Sequence, residues 1–159
     1  MRGEAWAVGC AGDPSGRALA KMGHYGLVPA VGPGIGDGAA GGVGSIAIAA
    51  LAKLGYHVVA LTGKADGADY LRKLGVKVIK LRSEIDLAKI KPLDKAQWQG
   101  AVDNLGGEML AWMASTMKSN DVMASIGLAA GFGRNTTVMP FILRAVSLRY
   151  FNAAGASAD

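Results

Sequence analysis

Four glycines within seven residues, Gly38-Ala-Ala-Gly-Gly-Val-Gly44, constrain this chain more than any other feature. They open at once into Ser45-Ile-Ala-Ile-Ala-Ala-Leu-Ala-Lys-Leu54, small and aliphatic residues of high helix propensity, and Gly55 stands where such a helix needs its C-terminal stop. A β-branched and apolar run follows at 57–61, short enough to be a strand covered on both faces. Turn, buried helix and buried strand in that order are the parts of a βαβ crossover, which requires a parallel sheet.

The rest of the chain repeats the alternation. Residues 65–74 read as an amphipathic helix with Ala68, Leu71 and Leu74 inward, Arg72 and Lys73 outward, and Gly75 as its stop. Strands are expected at Val76, Val78 and Ile79, at 100–103, at 121–126 and, as an edge, at 147–151. A helix is expected at 108–117, a helical turn at 140–144, a polar connection at 82–99 broken by Pro92, and a flexible loop at 129–135. The predicted fold class is α/β, a Rossmann-type, mostly parallel sheet flanked by helices. Its first strand is the weak point: residues 31–37 are glycine-rich and Pro33 cannot donate a ladder hydrogen bond, so that strand is expected to be short, distorted or missing.

Composition removes other classes. A chain of 159 residues, 51% of them hydrophobic, can bury one ordinary core. The longest apolar stretch, 46–51, is far below the roughly 20 residues a bilayer span needs, and the N-terminus has no signal-like apolar region, so no membrane partner and a cytoplasmic location are expected. One cysteine, Cys10, and the absence of CxxC or HExxH argue against zinc. The net charge of +5 comes from scattered lysines and arginines between 73 and 95 without an aromatic-flanked stripe, which argues against nucleic acid.

The glycine spacing has a chemical reading. One glycine permits the tight turn, one lets backbone approach a pyrophosphate, and one allows helix packing. Backbone amides of Gly38, Ala40, Gly41, Gly42, Val43 and Gly44, at the start of a helix, then face the phosphate charge. The tip of the second strand distinguishes cofactors. An NAD site places an acid there to take the ribose hydroxyls, whereas this chain has Leu61-Thr62-Gly63-Lys64. Lys64 suits a 2′-phosphate, the Thr62 hydroxyl is a further donor beside Gly63, and Arg82 flanks the adenine side, so the expected cofactor is NADPH. The missing acid also argues against a methyltransferase on a similar sheet. His57, at a strand start away from the ligand edge, reads as structural.

From Gly38 onward the chain resembles the acrylyl-CoA reductase and YhdH/YhfP-type quinone oxidoreductase branch of the zinc-independent medium-chain dehydrogenases/reductases. The resemblance is carried by Gly38–Ser45, Leu51-Ala-Lys-Leu-Gly55, Leu61-Thr-Gly-Lys64, Ala68-Asp-Tyr-Leu-Arg-Lys-Leu-Gly75, Lys91-Pro-Leu-Asp94, Val102-Asp103, Gly106-Gly107 and Thr136-Thr-Val-Met-Pro-Phe-Ile-Leu-Arg-Ala-Val-Ser-Leu148. It implies hydride transfer from NADPH to a small-molecule substrate, an enoyl thioester of coenzyme A or a quinone. It also implies that Asn104, Leu105, Gly127 and Leu128 line the nicotinamide side. The family's substrate domain has no counterpart here, so no residue is assigned as catalytic; the alternative is a catalytically silent NADP(H)-binding module or remnant. Residues 1–37 then correspond to a remnant of the linking helix and first strand, 38–152 to the NADP-binding domain, and 153–159 to a disordered tail. The resemblance further implies a homodimer through the edge strand at 147–151, an edge that invites aggregation if left open.

Overall fold

The computed structural model describes residues 32–127 and 136–150. Six strands form one sheet in the order β3-β2-β1-β4-β5-β6, with every neighbouring pair parallel. The strands are β1 (Gly34–Gly36), β2 (Val58–Thr62), β3 (Val78–Leu81), β4 (Trp98–Asp103), β5 (Met117–Ser125) and β6 (Ser147–Tyr150). Between them lie α1 (Gly42–Lys53), α2 (Ala68–Lys73), α3 (Gly107–Ser115) and α4 (Met139–Leu143). The Rossmann-type architecture expected from the alternation is therefore present. The loop expected at 129–135 lies outside the described residues, as do Cys10 and Leu128.

Alternation along the strands sends side chains into two cores. Val58 and Ala60 of β2 and Val122 and Ala124 of β5 pack with Ala47, Ile48 and Leu51 of α1 and Leu71 of α2. Val59 and Leu61, with Met123, pack instead with Met109, Leu110 and Met113 of α3. A sheet covered on both faces explains why these strands are continuously apolar rather than alternating. Helices α1 and α2 stop in the same way: Gly55 and Gly75 adopt φ of +86° and +91°. The amides of Tyr56 and Val76 bond back to the carbonyls of Leu51 and Leu71, the pattern that closes a helix at a left-handed glycine.

The first strand forms, and its shortness has a visible cause. β1 has three residues, lies inside the segment 1–37, and bonds β2 on one side and β4 on the other. Pro33 stands just before it and uses its carbonyl, accepting from the Gln99 amide at 3.0 Å. A side chain on Gly36 would lie 2.9 Å from Ile48 Cγ1, so the glycine that weakens the strand is what lets α1 lie close on it. Several boundaries differ from the sequence reading: β4 begins at Trp98, inside the connection expected at 82–99, and β3 extends to Leu81. Met117, expected at a helix end, begins β5 and pairs with Trp98 before the register shifts to Gly100–Val122. The helix expected at 65–74 begins as a 3₁₀ turn, Ala65–Gly67.

Candidate functional site

The strand order reverses direction at β1, whose neighbours are β2 and β4, and it is at the carboxyl ends of these strands that such sheets leave a crevice. The glycine turn sits there. Gly38 has φ of +57°, and its carbonyl accepts from the Gly41 amide at 2.8 Å. An added Cβ on Gly44 would fall 2.3 Å from that same carbonyl oxygen, so the helix start packs onto the turn with no room for a side chain. The first bond within α1 runs from the Ser45 amide to the Gly41 carbonyl at 2.9 Å, and no side chain caps the helix. The amides of Gly42 and Gly44 therefore have no partner inside the helix.

A cleft of about 260 Å³ opens beside the turn. Its walls are Gly38, Gly41, Val43 and Gly44 on one side and Asn104, Leu105, Ile126 and Gly127 on the other. The structure thus brings together the residues expected to hold phosphates and those implied for the nicotinamide side. Gly127 is held tightly, since a Cβ there would meet the Asn104 carbonyl oxygen at 2.4 Å.

Gly42 is exposed at the helix start, and Ala40 lies half-buried beside Gly67. At the tip of β2 the Arg82 guanidinium covers Gly63, where a Cβ would come within 2.2 Å of its terminal nitrogen. Lys64 is exposed next to it. Thr62 is only 2% exposed, and its hydroxyl accepts from the Lys64 amide at 3.1 Å. That hydroxyl shapes the turn that carries Lys64. Asp66 and Asp69 are exposed, and Asp69 pairs with Arg72 at 2.8 Å. His57 is exposed just before β2, at the opposite edge of the sheet from the cleft.

Beneath the cleft lies a pair of acids that the sequence reading did not assign. Asp37 and Asp103, at the ends of β1 and β4, are both 0% exposed. The Asn104 amide donates to Asp37 Oδ1 at 2.5 Å, and the Asn104 side-chain amide donates to the Asp37 carbonyl at 2.9 Å. Asp103 Oδ1 accepts from the amides of Leu105 and Gly106 at 3.2 and 2.8 Å, and its Oδ2 accepts from the Ser125 hydroxyl at 2.7 Å. Asp37 Oδ2 has no donor. Burial, reinforced by the facing Asp103 carboxyl, holds Asp37 well above the usual carboxylate range against the opposing pull of the Asn104 amide and Arg82. The available signal was position: an acid ending an apolar strand at the ligand edge.

The fold and site define a Rossmann-type α/β domain with its glycine turn at the switch point. No family model matches the chain. Over 145 residues it is 47% identical to the acrylyl-CoA reductase AcuI of Ruegeria pomeroyi, a match covering 91% of this chain and 44% of that protein. Among solved structures it superposes on the YhdH oxidoreductase of Salmonella enterica in complex with NADP, with a TM-score of 0.91, 39% identity, and coverage of 96% of this chain and 46% of the other. The Bacillus subtilis protein YhfP with NAD bound gives a TM-score of 0.90 at 40% identity, covering 98% and 47%. The resemblance to the acrylyl-CoA reductase and YhdH/YhfP oxidoreductases therefore holds in sequence and in fold. The chain spans somewhat less than half the length of these relatives.

Proposed function

We propose that this chain binds NADP(H) at the carboxyl edge of its sheet, as the nucleotide-binding part of a zinc-independent, NADPH-dependent reductase of the acrylyl-CoA reductase or quinone oxidoreductase type. One juxtaposition carries the reading: an uncapped, glycine-rich helix start at the switch point, beside a cleft, with Lys64 after β2 and Arg82 after β3. The donor set fits a dinucleotide. Amides of Gly42 and Gly44 suit the diphosphate, and the two cations, unaccompanied by an acid at the end of β2, suit a 2′-phosphate. Asn104, Leu105, Gly127 and Leu128 are the residues for the nicotinamide side. When bound, the cofactor supplies hydride to an activated double bond or a quinone.

The second reading, a catalytically silent cofactor module, is favoured by the lining of the cleft. Among the described residues, none of the eight that line it carries an acid or a base, so none of these eight is a proton donor. Calorimetry with NADPH and NADH tests the cofactor, and absence of binding by both refutes the proposal. Nicotinamide absorbance with acrylyl-CoA or a quinone separates the readings, because turnover by this chain alone rules out the silent one. Among the described residues no helix is long and apolar enough to cross a membrane. A cytoplasmic location belongs to the same proposal, since the proposed cofactor is an intracellular one; cell fractionation tests it. Dimerisation through β6 is supported by its place at the sheet edge beside exposed Ile142 and Leu143, and light scattering tests it.

A further inference from the structure

The two walls of the cleft come from distant parts of the chain and need a fastener. One is the glycine turn after β1, and the other is the loop after β4 that carries Asn104 and Leu105. Asp37 stands at their junction. It reaches across with a side-chain oxygen and its own carbonyl, both of which accept from Asn104. Its second carboxyl oxygen is buried and lacks a donor, and the neighbouring Asp103 carboxyl, which acts on Asp37, is itself an acceptor from Leu105, Gly106 and Ser125. Two carboxylates cannot hydrogen-bond to each other, and an orphaned buried oxygen is costly. A proton on Asp37 removes both difficulties, because Oδ2 then donates to Asp103 while Oδ1 still accepts from Asn104.

We propose that Asp37, carrying a proton that it shares with Asp103, is the positioning residue that locks the glycine turn to the β4–α3 loop, so that the cleft keeps its shape only while that proton is present. The consequence for dinucleotide affinity rests on the cofactor reading above; the clamp itself does not. Of the titratable groups on the elements packed around Asp37, Asp103 from β4 and Arg82 from beyond β3 act on it. Arg82 favours the ionised form and Asp103 opposes it, with burial on the side of the proton. The sign follows: a proton held more tightly in the folded chain contributes stability that is complete below the ordinary carboxylate range and is lost as pH rises through the raised folded-state value. Above that value the two acids repel, and the walls are pushed apart from beneath.

Asp37→Asn is the discriminating variant. Its amide reproduces the protonated acid, with an oxygen for the Asn104 amide and an N–H for Asp103, and it cannot ionise. Thermal midpoints of the full chain and of D37N are compared between about pH 5.5 and about pH 9. The clamp requires the wild-type midpoint to fall progressively below that of D37N as pH rises, with Asp37→Ala below D37N throughout. Coincident curves for the two proteins, or a D37N protein as impaired as D37A, overturn it. Calorimetry with NADP over the same range is the second readout. The wild-type Kd should weaken by up to about tenfold per pH unit relative to D37N above the folded-state value, while titration of the ligand's own phosphate cancels between the proteins. A midpoint difference without NADP binding at any pH refutes the cofactor reading and leaves the clamp standing.

Discussion

Gly44→Ala is the sharpest test of the glycine turn. The added methyl would sit 2.3 Å from the Gly38 carbonyl oxygen, 2.8 Å from its carbon and 3.1 Å from the Asp37 carbonyl oxygen. All three atoms are backbone, so none can swing aside. Ordinary contact begins near 3.4 Å, which asks the Gly38 carbonyl to retreat by more than 1 Å, and that carbonyl is the acceptor closing the turn on Gly41. Overpacking of this kind costs about 1–3 kcal/mol, and losing the turn bond adds about 1 kcal/mol. For a chain of this size a loss of about 2–4 kcal/mol lowers the thermal midpoint by about 4–16 °C. Gly42→Ala is the control, because nothing lies within 4 Å of its added methyl and alanine is the better helix former. Differential scanning calorimetry should show G44A falling and G42A unchanged or slightly raised. NADPH binding should be lost in G44A. A G44A protein that melts with the wild type, or a G42A protein that falls as far, would mean the turn does not have this geometry.

Other outcomes follow from the same contacts. Lys64→Ala should narrow a preference for NADPH over NADH by about tenfold, the worth of one charge-assisted contact to a 2′-phosphate; equal wild-type affinities for the two by calorimetry contradict the assignment. Arg144 donates to the carbonyls of Ser115, Met117 and Asp94, at 2.8, 2.9 and 2.5 Å, and so ties the end of α4 to the start of β5. Arg144→Ala should therefore cost about 2–3 kcal/mol in urea unfolding, with lysine restoring only part because it lacks the planar fork; a loss under about 0.5 kcal/mol would show those bonds to be exchanged for water at no cost.

Much of this architecture was legible because its signals are local. The run from Ser45 to Leu54 has one face of small and aliphatic residues and a glycine stop, and both act within the helix itself. The same holds for 65–74, where Gly75 ends the helix. Where the sequence left the outcome open or set a boundary elsewhere, the deciding partner was remote. Glycine and proline around residue 34 read as a strand in trouble, because the sequence alone does not show Ile48 lying against Gly36. Met117 continued an apolar helical pattern through residue 116, yet Thr116 turns back on the end of α3, its hydroxyl donating to the carbonyls of Trp112 and Met113 at 3.0 Å, and frees Met117 to pair with Trp98.

The site divides along the same line. Glycines suggest a phosphate turn because their meaning lies in their own backbone, and Lys64 suggests a 2′-phosphate because an acid is missing at its own strand tip. Thr62 was read by the same logic as a ligand donor, and folding adds a second task that the sequence does not show, since its hydroxyl accepts from the amide of Lys64 two residues on. Asp37 had no such local meaning. An acid ending a strand is commonplace, and it becomes informative only when the chain places Asp103 against it and leaves one of its oxygens without a donor. The features proposed to bind a cofactor can thus be read along the chain, whereas the feature proposed to hold those residues together depends on a pairing that only folding creates. A buried acid pair under a ligand turn is accordingly where pH should act first, because removing one proton there converts a bond between two walls of the cleft into a repulsion between them.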